Sequence, residues 1–241
     1  MGSFDWGRLR GWAEDIGVAV EPEAVGAFEG WCREIRRWDR VAGLVGTRDE
    51  REIARLHFLD SLSVLRVAEV RGSEAVTDVG TGGGFPGLVL RVAAAVERVN
   101  LVESSESKCR YLRQMIRQMG LEGSRVFCGR AEELAHDRGL RERSPVVVTR
   151  GVGQLAVVAE YCLPLCRVGG IFVAMKGPRA TEELEKGEGA VSALGGRVEM
   201  VDTFRLPEGG EERALIIIRK ANRTDPAYPR KTGIPRKRPL R

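Results

Sequence analysis

The sequence predicts an α/β protein in which a largely parallel sheet carries helices on both faces, preceded by a helical extension. Three observations predict it. From Ala75 onward, short and near-continuous apolar runs alternate with segments of helical period. The first of those runs empties into five glycines within eight positions, Gly80 to Gly87. The last two runs are joined by Pro207-Glu208-Gly209-Gly210, a turn with no helix in it, so they form a hairpin at the end of the sheet.

In chain order, residues 1 to 70 read as helical. Between Glu23 and Val41, Trp31, Ile35, Trp38 and Ala42 fall on one face at helical spacing, and Arg33, Arg36, Arg37 and Arg40 gather on the other. A second helix is expected from Asp49 through Leu62, with His57 and Asp60 three apart and able to pair. Residues 71 to 221 then alternate strand and helix. The strands are Val76 to Gly80, Arg98 to Glu103, Arg125 to Cys128, Val146 to Arg150, Ile171 to Met175, Arg197 to Phe204 and Arg213 to Arg219. The intervening helices are Leu88 to Val96, Lys108 to Met119, Gln154 to Cys166 and Glu182 to Leu194.

Composition narrows the class. The 241 residues are 43% hydrophobic, ample for a sizeable core. No run of eighteen apolar residues occurs and the first nine residues lack a signal peptide's apolar core, which predicts a soluble, cytoplasmic protein with no membrane partner. Five scattered cysteines and two histidines predict neither a disulfide framework nor a metal site, only reduced and mostly buried thiols. Cys162 and Cys166 are expected on one helical face. The charge is uneven. Residues 222 to 241 hold seven basic residues against Asp225, a net of +6 out of the chain's +5, so the rest of the chain is at −1. With four of the ten prolines, this tail is expected to be an extended, partly ordered arm rather than a helix, fitting a solvated terminus and a nucleic-acid backbone equally well.

The glycine-rich turn passes from strand to helix and lets backbone amides approach a ligand at a helix N-terminus. Gly82-x-Gly84-x-x-Gly87 fits the dinucleotide fingerprint, with Glu103 at about the right distance for a ribose. Asp78, just ahead of the loop, argues for a different ligand: its carboxylate would repel a pyrophosphate but could pair with the ammonium of S-adenosylmethionine. In open α/β sheets ligands bind beyond the carboxyl ends of the strands. That rule selects Gly80, Thr81, Gly82 and Phe85 after the first strand, Glu103 and Ser104 after the second, Arg130, Ala131 and Glu132 after the third, Arg150 after the fourth and Lys176 after the fifth. Glu103 can accept from both ribose hydroxyls, and Glu132 or its backbone could read an adenine amine.

Together these residues resemble a bacterial rRNA methyltransferase family, the glucose-inhibited division protein B group, described as small-subunit rRNA guanine-N7 methyltransferases. The resemblance runs over about residues 28 to 220 and rests on Thr47-Arg48-Asp49, His57-Phe58-Leu59-Asp60-Ser61-Leu62, the stretch Asp78 to Gly87, Leu101-Val102-Glu103 with Lys108, Arg130-Ala131-Glu132, Thr149-Arg150 and Met175-Lys176-Gly177. It implies a class I methyltransferase fold, a Rossmann-like seven-stranded sheet. It further implies S-adenosylmethionine as donor, S-adenosylhomocysteine as product, and N7 of a 16S rRNA guanine as acceptor, guanine 527 in the 530 loop. The donor contacts it implies are Gly80, Phe85, Glu103, Ser104, Ala131, Glu132 and Arg150. A monomer is expected, with 16S rRNA or the small ribosomal subunit as partner. Arg36, Arg37, Arg40, Arg230, Lys231 and Lys176 are the expected RNA contacts, and Arg150 and Lys176 the residues flanking the reacting guanine. Two departures stand out: Gly43-Leu44-Val45 where the family has Asn-Leu-Thr or Asn-Leu-Ser, and Gly151 where it has alanine. A methyltransferase with another acceptor, a dinucleotide oxidoreductase and a non-catalytic rRNA-binding module are the competing readings.

Overall fold

In a computed structural model, residues 4–94 and 96–241 are described. The N-terminal region contributes α1 (Arg8–Asp15) and α2 (Pro22–Ala42). There follow α3 (Glu50–Ile53), a π-helical turn (Ala54–Leu59), α4 (Asp60–Leu62), a 3₁₀ turn (Ser63–Arg66) and α5 (Ala68–Arg71). The expected second helix is thus present but widened in its middle. The sheet domain runs β1 (Ala75–Val79), α6 (Gly87–Ala93), β2 (Arg98–Glu103), α7 (Glu106–Gln118), β3 (Ser124–Cys128) and α8 (Ala131–Leu134). It continues with β4 (Ser144–Arg150), α9 (Leu155–Cys162), β5 (Cys166–Lys176), α10 (Ala180–Ala193), β6 (Gly196–Arg205) and β7 (Glu212–Lys220). A short α11 (Ile234–Lys237) lies in the tail.

Among the described residues the seven strands form one sheet in the order β3-β2-β1-β4-β5-β7-β6. All neighbours run parallel until β7, which inserts antiparallel between β5 and β6. The strand order reverses on either side of β1, which pairs with both β2 and β4, and the glycine-rich turn leaves β1 at that switch point. Parallel strands need helical crossovers, and these cover both faces. One apolar cluster joins Val76, Val148, Val173 and Ile217 to α6, α7 and the N-terminal helices. The other joins Val79, Val147, Phe172 and Ile216 to α9 and α10. The N-terminal helices therefore share the sheet's core: Phe28, Trp31, Ile35, Phe58 and Leu62 are all buried in the first cluster.

Two expectations about cysteine are corrected. Cys109 and Cys128 form a disulfide with their Cα atoms 6.0 Å apart, because β3 pairing sets Cys128 opposite Glu103 and the first turns of α7 fold back over that strand end. No spacing rule exposes such a pair, since strand register makes it. Cys162 and Cys166 do not share a helix: α9 ends at Cys162 and β5 begins at Cys166. Cys32, Cys162 and Cys166 are free and buried. No helix among the described residues is long and apolar enough to cross a membrane.

The tail also departs from a free extended arm. It contains α11, which tolerates Pro235 because a first-turn N–H has no intrahelical acceptor to lose. It is pinned to the body along its length. Arg141 donates to the carbonyls of Thr224, Asp225 and Tyr228, His136 bonds the Pro229 carbonyl, and Gly233 N–H donates to Glu132. The strongest tie is Arg230, which meets both oxygens of Glu160 at 2.7–3.2 Å, with Glu160 wholly buried on α9. Arg230 is thereby tied to the body by an ion pair, with its side chain 26% exposed. Removing one partner strands a buried charge, which costs about 3–5 kcal/mol. Arg230→Met is therefore expected to lower the unfolding free energy by about 3 kcal/mol in urea titration, whereas Lys231→Met, at an exposed position, should leave it unchanged.

Candidate active site

The loop that leaves β1 is held from below and from behind. Asp78 is fully buried, and its Oδ2 accepts the Gly87 N–H at 2.8 Å. Burial pushes its pKa up to about 6, against the opposing pull of the Thr81 hydroxyl and the Gly87 N–H. The side chain is enclosed, and any pairing with a ligand ammonium would fall to Oδ1, which is buried with no hydrogen-bond partner among the described residues. The carboxylate turns under the loop and caps α6. Gly87 must be glycine for the same reason: a Cβ there would lie 2.6 Å from Leu101 and 2.9 Å from Asp78. Gly84, at φ 100°, would drive a Cβ to 2.9 Å from both Trp31 and Leu88.

Phe85 is a wedge rather than an open contact. Its ring is buried, stacked on Trp31 at 5.1 Å and 9° and flanked by His57 and Phe58 at 5.2 Å each. Trp31 in turn donates to the Tyr111 hydroxyl at 2.7 Å. The aromatic face of α2 thus sets the height of the loop. On the loop's other side Glu103, at the end of β2, accepts the Gly82 N–H at 3.0 Å and the Ser105 N–H at 2.8 Å. Each carboxylate oxygen keeps a second lone pair, as a diol acceptor requires. Ser104 is exposed beside it, and Ala131 half-buried at the start of α8. Glu132 is turned toward the tail. It is buried, and its Oε1 accepts from Gly233 in the tail. Any reading of an adenine amine on this side therefore falls to backbone, not to the Glu132 carboxylate.

Arg150, last residue of β4, makes the central contacts. Its Nη1 donates to the Leu56 carbonyl at 2.8 Å and to Asp60 Oδ2 at 3.0 Å. Its Nη2 lies 3.1 Å from His57 Nδ1, and its guanidinium sits 5.3 Å above the Phe85 ring. The π-helical turn presents Leu56 and His57 together to this one side chain. His57 and Asp60 therefore do not pair directly, as their spacing allowed; both are gathered by Arg150. The other Asp60 oxygen accepts from Arg213 of β7 at 2.9 Å. Arg213 carried no motif in the sequence and is brought in solely by the antiparallel strand.

Lys176, at the end of β5, donates to the Gly153 carbonyl at 2.6 Å and to Glu183 Oε2 at 2.7 Å. Arg150, Lys176, Asp60, Glu183 and Arg213 line one cleft of about 350 Å³ with Gly151, Gly153 and Gly177. The cleft holds three cations against two carboxylates. Gly151, at φ 69°, turns the chain at its rim, where a family alanine would be strained. Gly43, at φ 59°, likewise ends α2, a position that asparagine also tolerates, so this departure is conformationally conservative. Asp39 then holds the Leu44 and Val45 N–H groups at 2.6 and 2.9 Å, carrying the chain to the glycine loop. Arg33, Arg36, Arg37, Arg40 and Arg48 line a separate surface hollow at the start of that connection.

Burial, with Arg150 adding to it, pushes the His57 pKa down from its ordinary 6.5 to about 4. The imidazole is neutral in the folded chain and takes up a proton on unfolding between those values, so its contribution to stability falls as pH drops through that window. Asp78 works oppositely: its raised pKa means a proton held in the folded state, a stabilisation present below pH 4 and lost as pH rises through about 6. The two are separated by comparison with His57→Gln. The stability advantage of the parent chain over that variant, read from urea midpoints, is expected to shrink from pH 7 to pH 5.

Known proteins share this architecture. Residues 25–215 match the family described as GidB, rRNA small subunit methyltransferase G. The ribosomal RNA small subunit methyltransferase G of Pelotomaculum thermopropionicum is 42% identical, over 95% of this chain and 95% of its own. That of Symbiobacterium thermophilum is 42% identical over 97% of each. Among solved structures, an O-methyltransferase from Bacillus cereus in complex with SAH superposes with a TM-score of 0.55 at 16% identity, covering 79% of this chain and 91% of that one, a likeness of fold. Sequence identity of this extent, spread over helices, sheet and tail alike, settles the kinship: the chain belongs to the rRNA small subunit methyltransferase G family.

Proposed function

We propose that this protein transfers the methyl group of S-adenosylmethionine to N7 of a guanine in 16S rRNA, acting as a monomer in the cytoplasm. The observation that carries the reading is the adjacency of the glycine loop and the cleft. The Arg150 guanidinium, which lines the cleft, sits 5.3 Å over the Phe85 ring of the loop, and Val152, between the cleft residues Gly151 and Gly153, packs against Gly80. A small, closely approached backbone loop, an acid suited to a ribose diol and no cationic clamp for a pyrophosphate fit this donor better than a dinucleotide.

S-adenosylmethionine supplies an electrophilic methyl on a sulfonium, and transfer leaves S-adenosylhomocysteine. The acceptor needs no base, because N7 carries a free lone pair. What the chain supplies is therefore alignment and charge. Glu103 holds a diol, and the Gly80 to Gly84 backbone positions what lies over the loop. Arg150 places a cation between the glycine loop and the cleft, and Lys176 places one on the cleft wall. His57, kept neutral by burial, gives Arg150 a fixed partner without competing for a proton.

The RNA itself is expected to cross the arginine hollow. Arg36, Arg37 and Arg40 lie on one exposed face with Arg33 and Arg48. Arg36 and Arg37 pair with Glu50 and Glu34, surface pairs that phosphates can displace at little cost. Lys231 is exposed on the tail, and this basic surface would favour a folded RNA whose target base is splayed out of its stack.

The direct test is incubation with tritiated S-adenosylmethionine and small subunits lacking the endogenous modification, followed by chemical cleavage at N7-methylguanine. A single cleavage in 16S rRNA is expected; label at another atom, or none despite donor binding, overturns the reading. Within it, Lys176→Ala is expected to lower turnover about a hundredfold with donor affinity unchanged, as for loss of one charged contact to the reacting base. Arg150→Ala should depress both, since Arg150 also holds Phe85 and the loop.

A further inference from the structure

The wall of the cleft opposite Arg150 holds an ion pair whose chemistry is more specific than its charge. Lys176 Nζ and Glu183 Oε2 are 2.7 Å apart. The ammonium has three N–H donors, of which the Gly153 carbonyl and Glu183 take two, leaving one. Glu183 Oε2 also accepts the Leu155 N–H at 3.0 Å, while Oε1 accepts no hydrogen bond among the described residues. Both side chains line the cleft, Lys176 nearly buried and Glu183 about a quarter exposed, at 23%.

The wall therefore offers a donor beside an acceptor. Guanine presents the complement on one edge: O6 accepts, and the adjacent N1–H and exocyclic N2 amine donate. Adenine presents the reverse, an N6 amine beside an N1 lone pair, which would set donor against donor and lone pair against carboxylate. Mismatched buried polar groups are costly, so such a wall discriminates strongly between the two purines. On guanine, N7 lies on the other side of O6 from N1, so a base read in this way turns N7 away from Glu183. Methylation at N7 makes the base cationic and its N1–H a stronger donor, so a carboxylate at that edge gains strength as the reaction proceeds.

We propose that Glu183 is the specificity-determining residue of this site, its Oε1 accepting from the N1–H and N2 amine of the target guanine while Lys176 donates to O6. The inference rests on the guanine-N7 reading and adds the residue that reads the base. Glu183→Gln tests it without stranding Lys176. The amide oxygen must take the Oε2 place to satisfy Lys176 and Leu155, so its NH₂ meets the guanine donors.

The measurement is kcat/KM on small-subunit rRNA carrying guanine or inosine at the methylated position, inosine lacking only the N2 amine. The parent enzyme should prefer guanine about tenfold, the worth of one hydrogen bond to a carboxylate. Glu183→Gln should lose about a hundredfold on guanine and show a guanine-to-inosine ratio near one, with donor affinity unchanged. Equal parent rates on guanine and inosine overturn the proposal, and this comparison needs no variant. So does a Glu183→Gln enzyme that keeps the parent ratio. A parent enzyme that forms no N7-methylguanine would instead remove the reaction on which the proposal stands.

Discussion

The site depends on one partly buried guanidinium. Arg150 ends a central strand, yet its hydrogen-bond partners lie in the N-terminal helical extension: the Leu56 carbonyl, His57 and Asp60. A planar, permanently charged fork can satisfy these at once, which lysine could not. The cost of burying it is offset by Asp60, and Asp60 is in turn shared with Arg213 from β7. Three distant parts of the chain thereby converge on the rim of the cleft. The aromatic stack of Trp31, Phe58 and Phe85 beneath supplies the apolar floor that keeps water from competing.

This arrangement explains why the helical extension shares the sheet's core instead of forming a separate lobe. Its α2 presents buried aromatics inward and arginines outward, so the same helix supports the glycine loop and offers a phosphate-sized cationic hollow. The C-terminal tail plays the matching structural part on the opposite face. Its high charge suggested a free arm, but Glu160 and Glu132, both buried, turn the charge and backbone of that segment inward. Net charge alone does not distinguish a ligand-binding arm from one tied to buried acids.

Much of this was legible in the sequence because it follows from local pattern. Near-continuous apolar runs alternating with helical ones marked the seven strands, the fifth of them starting five residues earlier than expected at Cys166, and Pro207 to Gly210 marked the closing hairpin. Strand-end position selected Glu103, Arg150 and Lys176; Arg150 and Lys176 line one cleft, and Glu103 accepts from the glycine loop. Side-chain direction was not legible. Asp78 and Glu132 stand at strand or helix ends as expected, but each is turned inward by a backbone N–H that only the folded chain supplies, Gly87 and Gly233. Arg213 and the Cys109–Cys128 pair were invisible for a related reason, since antiparallel insertion and strand register create those neighbours. Glu183, seven residues beyond Lys176, lies at ordinary first-turn helix position and reads as a cap until the cleft is seen around it.

The central claim is that Arg150 and Asp60 act as one unit that couples the helical extension to the donor loop. A double-mutant cycle of Asp60→Asn and Arg150→Met, read as S-adenosylhomocysteine affinity by calorimetry, tests it most directly. The account predicts a coupling free energy above about 1 kcal/mol, the double variant binding hardly worse than either single one. Effects that add to within about 0.5 kcal/mol would contradict it.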